Sequence, residues 1–149
     1  MLAPAPPPAP VAALAPPPKP RTCDATITLL ADQTFGFNSA TLTAQARERL
    51  DKDVMPRLQN CASVDYVLVS GHTDRLGGQQ YNQQLSERRA DAVRQYIVSR
   101  GAPKDKIDAL GMGKTAPVKA CADAPTQKEL QDCLAPNRRV EIELKGLAK

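Results

Sequence analysis

The run from Val64 to Gly101 leaves this chain the fewest choices. Val64–Ser70 (VDYVLVS) is apolar on both alternations, the pattern of a strand lying inside a sheet with cover on part of both faces. Residues 71–78 (GHTDRLGG) are polar and glycine-rich and read as a turn. Over residues 79–100, Leu85, Arg89, Val93 and Ile97 recur at spacing four, so the segment reads as a helix with one inward face. Gly101, with Pro103 beyond it, supplies a C-terminal stop. A central strand, a polar turn and a long helix in that order commit the chain to a layered arrangement of helices on a sheet.

Arg89 interrupts the apolar face of that helix. A guanidinium on an inward stripe is costly unless something pairs with it. Asn82 and Ser86 share its side of the helix at helical spacing, and that side begins where the turn holding Asp74 ends. Two readings follow. Asp74 and Arg89 can form a structural salt bridge that pins the turn to the helix. Alternatively, the two charges stand apart and bind a zwitterion, the carboxylate taking an ammonium and the guanidinium a carboxylate through charge-assisted hydrogen bonds.

The remaining segments supply a fold around this unit. Residues 1–20 hold nine of the fourteen prolines, which excludes helix and sheet. They are expected to form an extended spacer of roughly 60 Å at about 3.1 Å per residue. Residues 1–22 are therefore taken as a hinge or linker and 23–149 as one domain. Ala25–Leu30 is β-rich, and residues 31–39 read as a loop carrying both phenylalanines. Of these, Phe35 suits a plug at the core edge, and both suit the lining of a pocket. Residues 41–59 read as a helix with Leu42, Ala46, Leu50, Val54 and Leu58 in one stripe. Ser39 or Thr41 is the expected cap, and Pro56 should distort the last turn. A short strand over 106–110, a cysteine-bracketed insert with a helix over 126–134, and an alternating strand (Val140, Ile142 and Leu144 inward) complete the order. The expected class is α+β: a two-layer α/β sandwich, βαβαβ(α)β, with a mixed sheet covered by helices on one face. Arg138 and Arg139 precede the last strand and should point opposite ways, one towards a site and the other into solvent.

Several functions are disfavoured. The net charge of +4 is spread along the chain and aromatic content is 3%, which offers neither the basic stripe nor the stacking platforms of a nucleic-acid binder. No apolar run reaches the roughly 18–20 residues of a membrane helix, and the N-terminus has no signal-peptide pattern. Met1 before a proline tract reads as the start of an excerpt from a longer protein. Gly113-Lys114-Thr115 lacks the earlier glycine of a phosphate loop, since Asp108 occupies that position. There is no GxSxG or HExxH, and His72 and Asp74 have no evident serine partner, so no enzyme, cofactor or metal site is expected. The four cysteines (Cys23, Cys61, Cys121, Cys133) allow three pairings. Spacing favours Cys121–Cys133, leaving Cys23–Cys61, and with them an oxidising compartment. Four buried thiols in a reducing one is the alternative.

Three stretches, GHTDRLGGQQYNQQLSERRADAV, KIDALGMGKTAPV and CLAPNRRVEIELKG, closely resemble the OmpA-like C-terminal domain, over about residues 25–146. The resemblance implies non-covalent binding of peptidoglycan through the diaminopimelate of its stem peptide, by a periplasmic domain of an outer-membrane protein. It assigns Asp74 to the ligand ammonium, Arg89 to its carboxylate, Asn82 to the helix start, and Phe37 and Asn38 to the lining, with Arg138 as a secondary contact. Leu76 stands where many relatives carry threonine, removing a side-chain hydrogen bond there. The cysteine insert resembles the version in which the equivalent pair forms a disulfide. The proline-rich segment resembles the hinge to a membrane β-barrel, which this chain lacks and which would be its only membrane contact. Oligomeric state is not implied.

Overall fold

A computed structural model describes residues 3–8, 16, 21–123 and 125–149. Most of the proline-rich spacer lies outside these; residues 3–8 are exposed and belong to no helix or strand. The elements are β1 (Ala25–Leu30), α1 (Ala31–Thr34), α2 (Ala44–Arg49), a π-helical turn (Leu50–Val54), α3 (Met55–Gln59), β2 (Cys61–His72), α4 (Gln79–Ser99), β3 (Ile107–Gly111), α5 (Gln127–Leu134) and β4 (Arg139–Ala148). The sheet order is β1-β4-β2-β3. β4 is antiparallel to β1 and β2, and β3 is parallel to β2, so the sheet is mixed. The last strand of the chain is thus inserted into the middle of the sheet, which holds both ends of the fold together.

One face of the sheet is dry. Ile27 and Leu29, Val140, Ile142 and Leu144, Val67 and Val69, and Ile107 form a single core with Leu50, Val54, Met55 and Leu58 and with Ala90, Val93 and Ile97 of α4. Thr26, Thr28 and Asp108 on the other face are exposed. Each fully buried aliphatic side chain contributes about 1.5–3 kcal/mol. This is the expected sandwich with helices on one side.

Local chemistry moves some boundaries. The helix after the first loop begins at Ala44, not Thr41, because Thr43 is the residue whose hydroxyl accepts from the Ala46 N–H at 3.1 Å. Pro56 has no N–H to donate, and the helix widens into the π-helical turn just before it. The loop after β1 opens with one helical turn, α1, in which Thr34 Oγ1 donates to the Leu30 carbonyl at 2.7 Å. Phe35 is buried as expected of a plug, whereas Phe37 is 96% exposed.

α4 lies directly on the strand backbone. A Cβ at Gly71 would sit 2.1 Å from the Ser86 carbonyl oxygen, and one at Gly111 would sit 2.6 Å from the Glu87 nitrogen. Ser86 uses this closeness: its Oγ accepts from Gly113 N at 3.0 Å and donates to Gln83 O at 2.8 Å. Beyond β3, Asn137 is 1% exposed; its Oδ1 accepts from Val118 N and Lys119 N, and its Nδ2 donates to Lys119 O. That closes the base of the insert. Thr126 caps α5 by accepting from Glu129 N at 3.1 Å. Both favoured disulfides are formed, Cys23–Cys61 and Cys121–Cys133.

Candidate functional site

β2 and β3 deliver the acid. Their parallel pairing continues past the strands through Met112 N to Gly71 O and Thr73 N to Gly113 O, both 2.8 Å. The next residue, Asp74, is only 8% exposed. Its Oδ1 accepts from Leu76 N at 2.9 Å, an Asx turn that the short acidic side chain closes on its own backbone. Leu76 therefore serves the site through its backbone, and its carbonyl accepts from Asn82 Nδ2 at 2.7 Å. Gly77 has φ +85°, a left-handed conformation that glycine adopts freely. Turn and helix start are locked together before any ligand arrives.

Asp74 does not pair with Arg89. Its Oδ2 accepts from Arg138 Nη1 at 2.7 Å, and Arg138 also grips Asp32 with Nη2 at 2.9 Å and Nε at 3.2 Å. The hydrogen bonds to Asp32, and then to Asp74, raise the Arg138 pKa against the opposing effect of burial. Two carboxylates on one guanidinium leave this side of the site with a net charge of −1.

Arg89 is buried, and among the described residues no carboxylate forms a salt bridge with it. Its Nε donates to the Ser39 carbonyl at 2.9 Å, and its guanidinium carbon lies 5.1 Å from the centre of the Phe35 ring, a cation–π contact. Burial lowers its pKa from the ordinary value, the mark of a charge held away from water. The structural Asp74–Arg89 bridge is thus excluded in this conformation: Arg138 occupies the acid, and the cation is left for something else.

Asp74, Asn82, Arg89, Phe37, Asn38 and Arg138, the six positions singled out in the sequence, line one cleft of about 580 Å³. Asn38 sits at φ +50°, a left-handed conformation that asparagine tolerates better than most side chains. Four further lining residues, Asp32, Tyr81, Gln131 and Asp132, carry no signal of their own in the sequence. Asp32 meets the site because Ala31 N donates to Arg138 O at 2.8 Å, an alignment set by β1–β4 pairing.

Arg139 corrects an expectation. It does point away from Arg138, but it is 4% exposed rather than solvated. Its Nε donates to Glu141 Oε1 at 2.7 Å, and its terminal nitrogens donate to the carbonyls of Asn137 and Ala116. Beside it on β2, His72 is 5% exposed and neither ring nitrogen has a hydrogen-bond partner among the described residues; Nε2 lies 4.0 Å from Glu141 Oε2. Burial and then Arg139 lower the His72 pKa.

The OmpA family model matches residues 34–131. Outer membrane protein A of Escherichia fergusonii is 48% identical over 123 residues, covering 80% of this chain and 50% of that protein. Outer membrane protein A of Klebsiella aerogenes is 46% identical over 141 residues, covering 93% of this chain and 40% of that protein. The chain therefore spans half or less of the length of these relatives. Among solved structures, the peptidoglycan-associated lipoprotein from Burkholderia pseudomallei is 27% identical with a TM-score of 0.61, covering 74% of this chain and 86% of that one. The cell wall anchor of the T6SS from Pseudomonas aeruginosa is 27% identical with a TM-score of 0.65, covering 85% and 82%. The family match spans most of the folded part and includes the strand, turn and helix that build the cleft: the chain belongs to the OmpA family.

Proposed function

We propose that this domain binds peptidoglycan without cleaving it, through the diaminopimelate of the stem peptide, and so anchors an outer membrane to the cell wall from the periplasmic side. The observation that carries this reading is a buried guanidinium, Arg89, without a carboxylate partner among the described residues, in one cleft with the acid-rich Asp32–Arg138–Asp74 cluster. Diaminopimelate carries an ammonium and a carboxylate on one carbon. The net negative cluster, through Asp74, receives the first; Arg89 receives the second, with Asn82 fixing the turn between them and Phe37 and Asn38 closing the loop side. Arg138 acts by holding Asp74 in place. The two solved relatives, one a peptidoglycan-associated lipoprotein and one a cell wall anchor, support the same reading, as do the two disulfides, which suit an oxidising compartment. The segment 1–22 acts as a hinge towards a membrane-embedded barrel outside this chain. Retention on a sacculus comes from many weak sites acting together.

Co-sedimentation with purified sacculi and calorimetric titration with diaminopimelate test this reading. Asp74→Ala and Arg89→Ala are each expected to lose about 2–5 kcal/mol of binding with unchanged circular dichroism. If both variants still pellet with sacculi like the parent, the assignment is wrong.

A further inference from the structure

The insert between β3 and β4 is fastened to the site from two directions. Arg75, next to Asp74, donates from Nη1 to the Cys121 carbonyl at 2.5 Å and from Nη2 to Asp123 at 3.0 Å. Arg138 donates from the same Nη1 that holds Asp74 to the Gln131 carbonyl at 3.2 Å. Gln131 and Asp132 line the cleft, and Cys133 follows them directly in the disulfide to Cys121. Asp132 is in no side-chain hydrogen bond or salt bridge among the described residues, whereas Asp32 and Asp74 are both engaged by Arg138.

The rest of the insert cannot hold that position by packing. Residues 125–129, 131 and 132 are exposed, and among its described residues Leu134 is the one fully buried aliphatic side chain. α5 has eight residues, too few to be a stable helix alone. The alignment of this wall therefore rests on the cross-link, on Arg75 and on the Arg138 bond to the Gln131 carbonyl.

We propose that the Cys121–Cys133 insert is a specificity-determining wall of the cleft: Asp132 accepts an N–H of the ligand, and the disulfide and Arg75 are the positioning elements that hold it there. This rests on the diaminopimelate reading above and adds that ligand affinity, rather than the stability of the sheet domain, depends on this disulfide. With the strut open, two cleft-lining side chains must be ordered at each binding event, a cost of about tenfold in affinity.

The test is calorimetric titration of the whole chain with free diaminopimelate and with a diaminopimelate-containing stem tripeptide. Cys121→Ser/Cys133→Ser and Arg75→Ala should each bind the tripeptide about tenfold more weakly, with the parental circular dichroism and melting temperature within a few degrees. Asp132→Ala should weaken it several-fold with the disulfide intact. Reducing Cys23→Ser/Cys61→Ser, in which Cys121–Cys133 is the one disulfide left, should lower its affinity and re-oxidation should restore it. Parental affinity in Cys121→Ser/Cys133→Ser, Arg75→Ala and Asp132→Ala overturns the inference, as does a loss that accompanies unfolding in both of the first two. If the oxidised parent binds neither probe, the diaminopimelate reading itself fails and takes this inference with it.

Discussion

The cleft has two walls built by different physics. The wall formed by the Asp74 turn and α4 is an outgrowth of the core: Asp74, Asn82 and Arg89 are all buried, and glycines let the helix rest on strand backbone. The wall formed by the insert is mostly exposed and is held by a disulfide, Arg75 and Arg138. The difference teaches where site geometry is coupled to folding. On the first wall, placing the charges and forming the core are one event, so perturbing one perturbs both. On the second, placement is separable from the core.

The largest effect should come from breaking the contact that makes the first wall part of the core. Gly71→Ala puts a methyl 2.1 Å from the Ser86 carbonyl, and neither strand nor helix backbone can yield cheaply. A loss of about 3 kcal/mol or more is expected, read by urea denaturation, with sacculus binding lost in parallel. Near-parental stability would show that α4 is free to slide and that the two walls are more alike than drawn.

A smaller effect sharpens the contrast between the two disulfides. Cys23–Cys61 closes a separation of 38 residues and places Cys61 in the core, against 12 residues for Cys121–Cys133. Cys23→Ser/Cys61→Ser should cost about 2–4 kcal/mol of stability while the folded fraction keeps parental affinity for diaminopimelate. The outcome opposite to that of the insert disulfide is the signature of a staple rather than a strut. An affinity loss here would erase the distinction.

The smallest effect is acid-dependent and belongs to the end of β2, just before the first wall. His72 is buried near Arg139 and Glu141, and its pKa lies below the ordinary 6.5. The unfolded chain therefore takes up a proton before the folded one does. The contribution of neutral His72 is fully present above about pH 6.5 and is lost as the pH falls towards the folded pKa, at no more than about 1.4 kcal/mol per pH unit. Melting temperature measured from pH 7.5 downwards should decline below 6.5 in the parent, and His72→Leu should remove that part of the slope. An unchanged slope would mean that the acid sensitivity lies elsewhere.

How much of this was legible in the sequence depends on the range of the interaction involved. β1 was read to its observed ends; Cys121–Cys133 came from spacing, and Cys23–Cys61 followed by elimination. The stripe of Leu85, Val93 and Ile97 and the alternation of Val140, Ile142 and Leu144 gave the inner faces, since periodicity is a local consequence of backbone geometry. Arg89 stood out for the same reason, as a charge on an apolar face. That no carboxylate among the described residues pairs with it did not. Pairing Asp74 with Arg89 was natural because both lie in one strand–turn–helix unit, yet the acid is taken by Arg138, separated from it by 64 residues, which also holds Asp32 across 106.

By itself, then, the sequence determined the strands and the main helical segments, the buried faces and the residues carrying charge in apolar surroundings, because each follows from spacing along one segment. The tertiary structure alone decided which charges neutralise one another and which stay available. That choice turns on β4 being laid between β1 and β2, which brings Arg138 and Asp32 to the end of the strand that leads into Asp74. It also made a wall of the insert, because a disulfide fixes where two cysteines meet but not what the residues between them face.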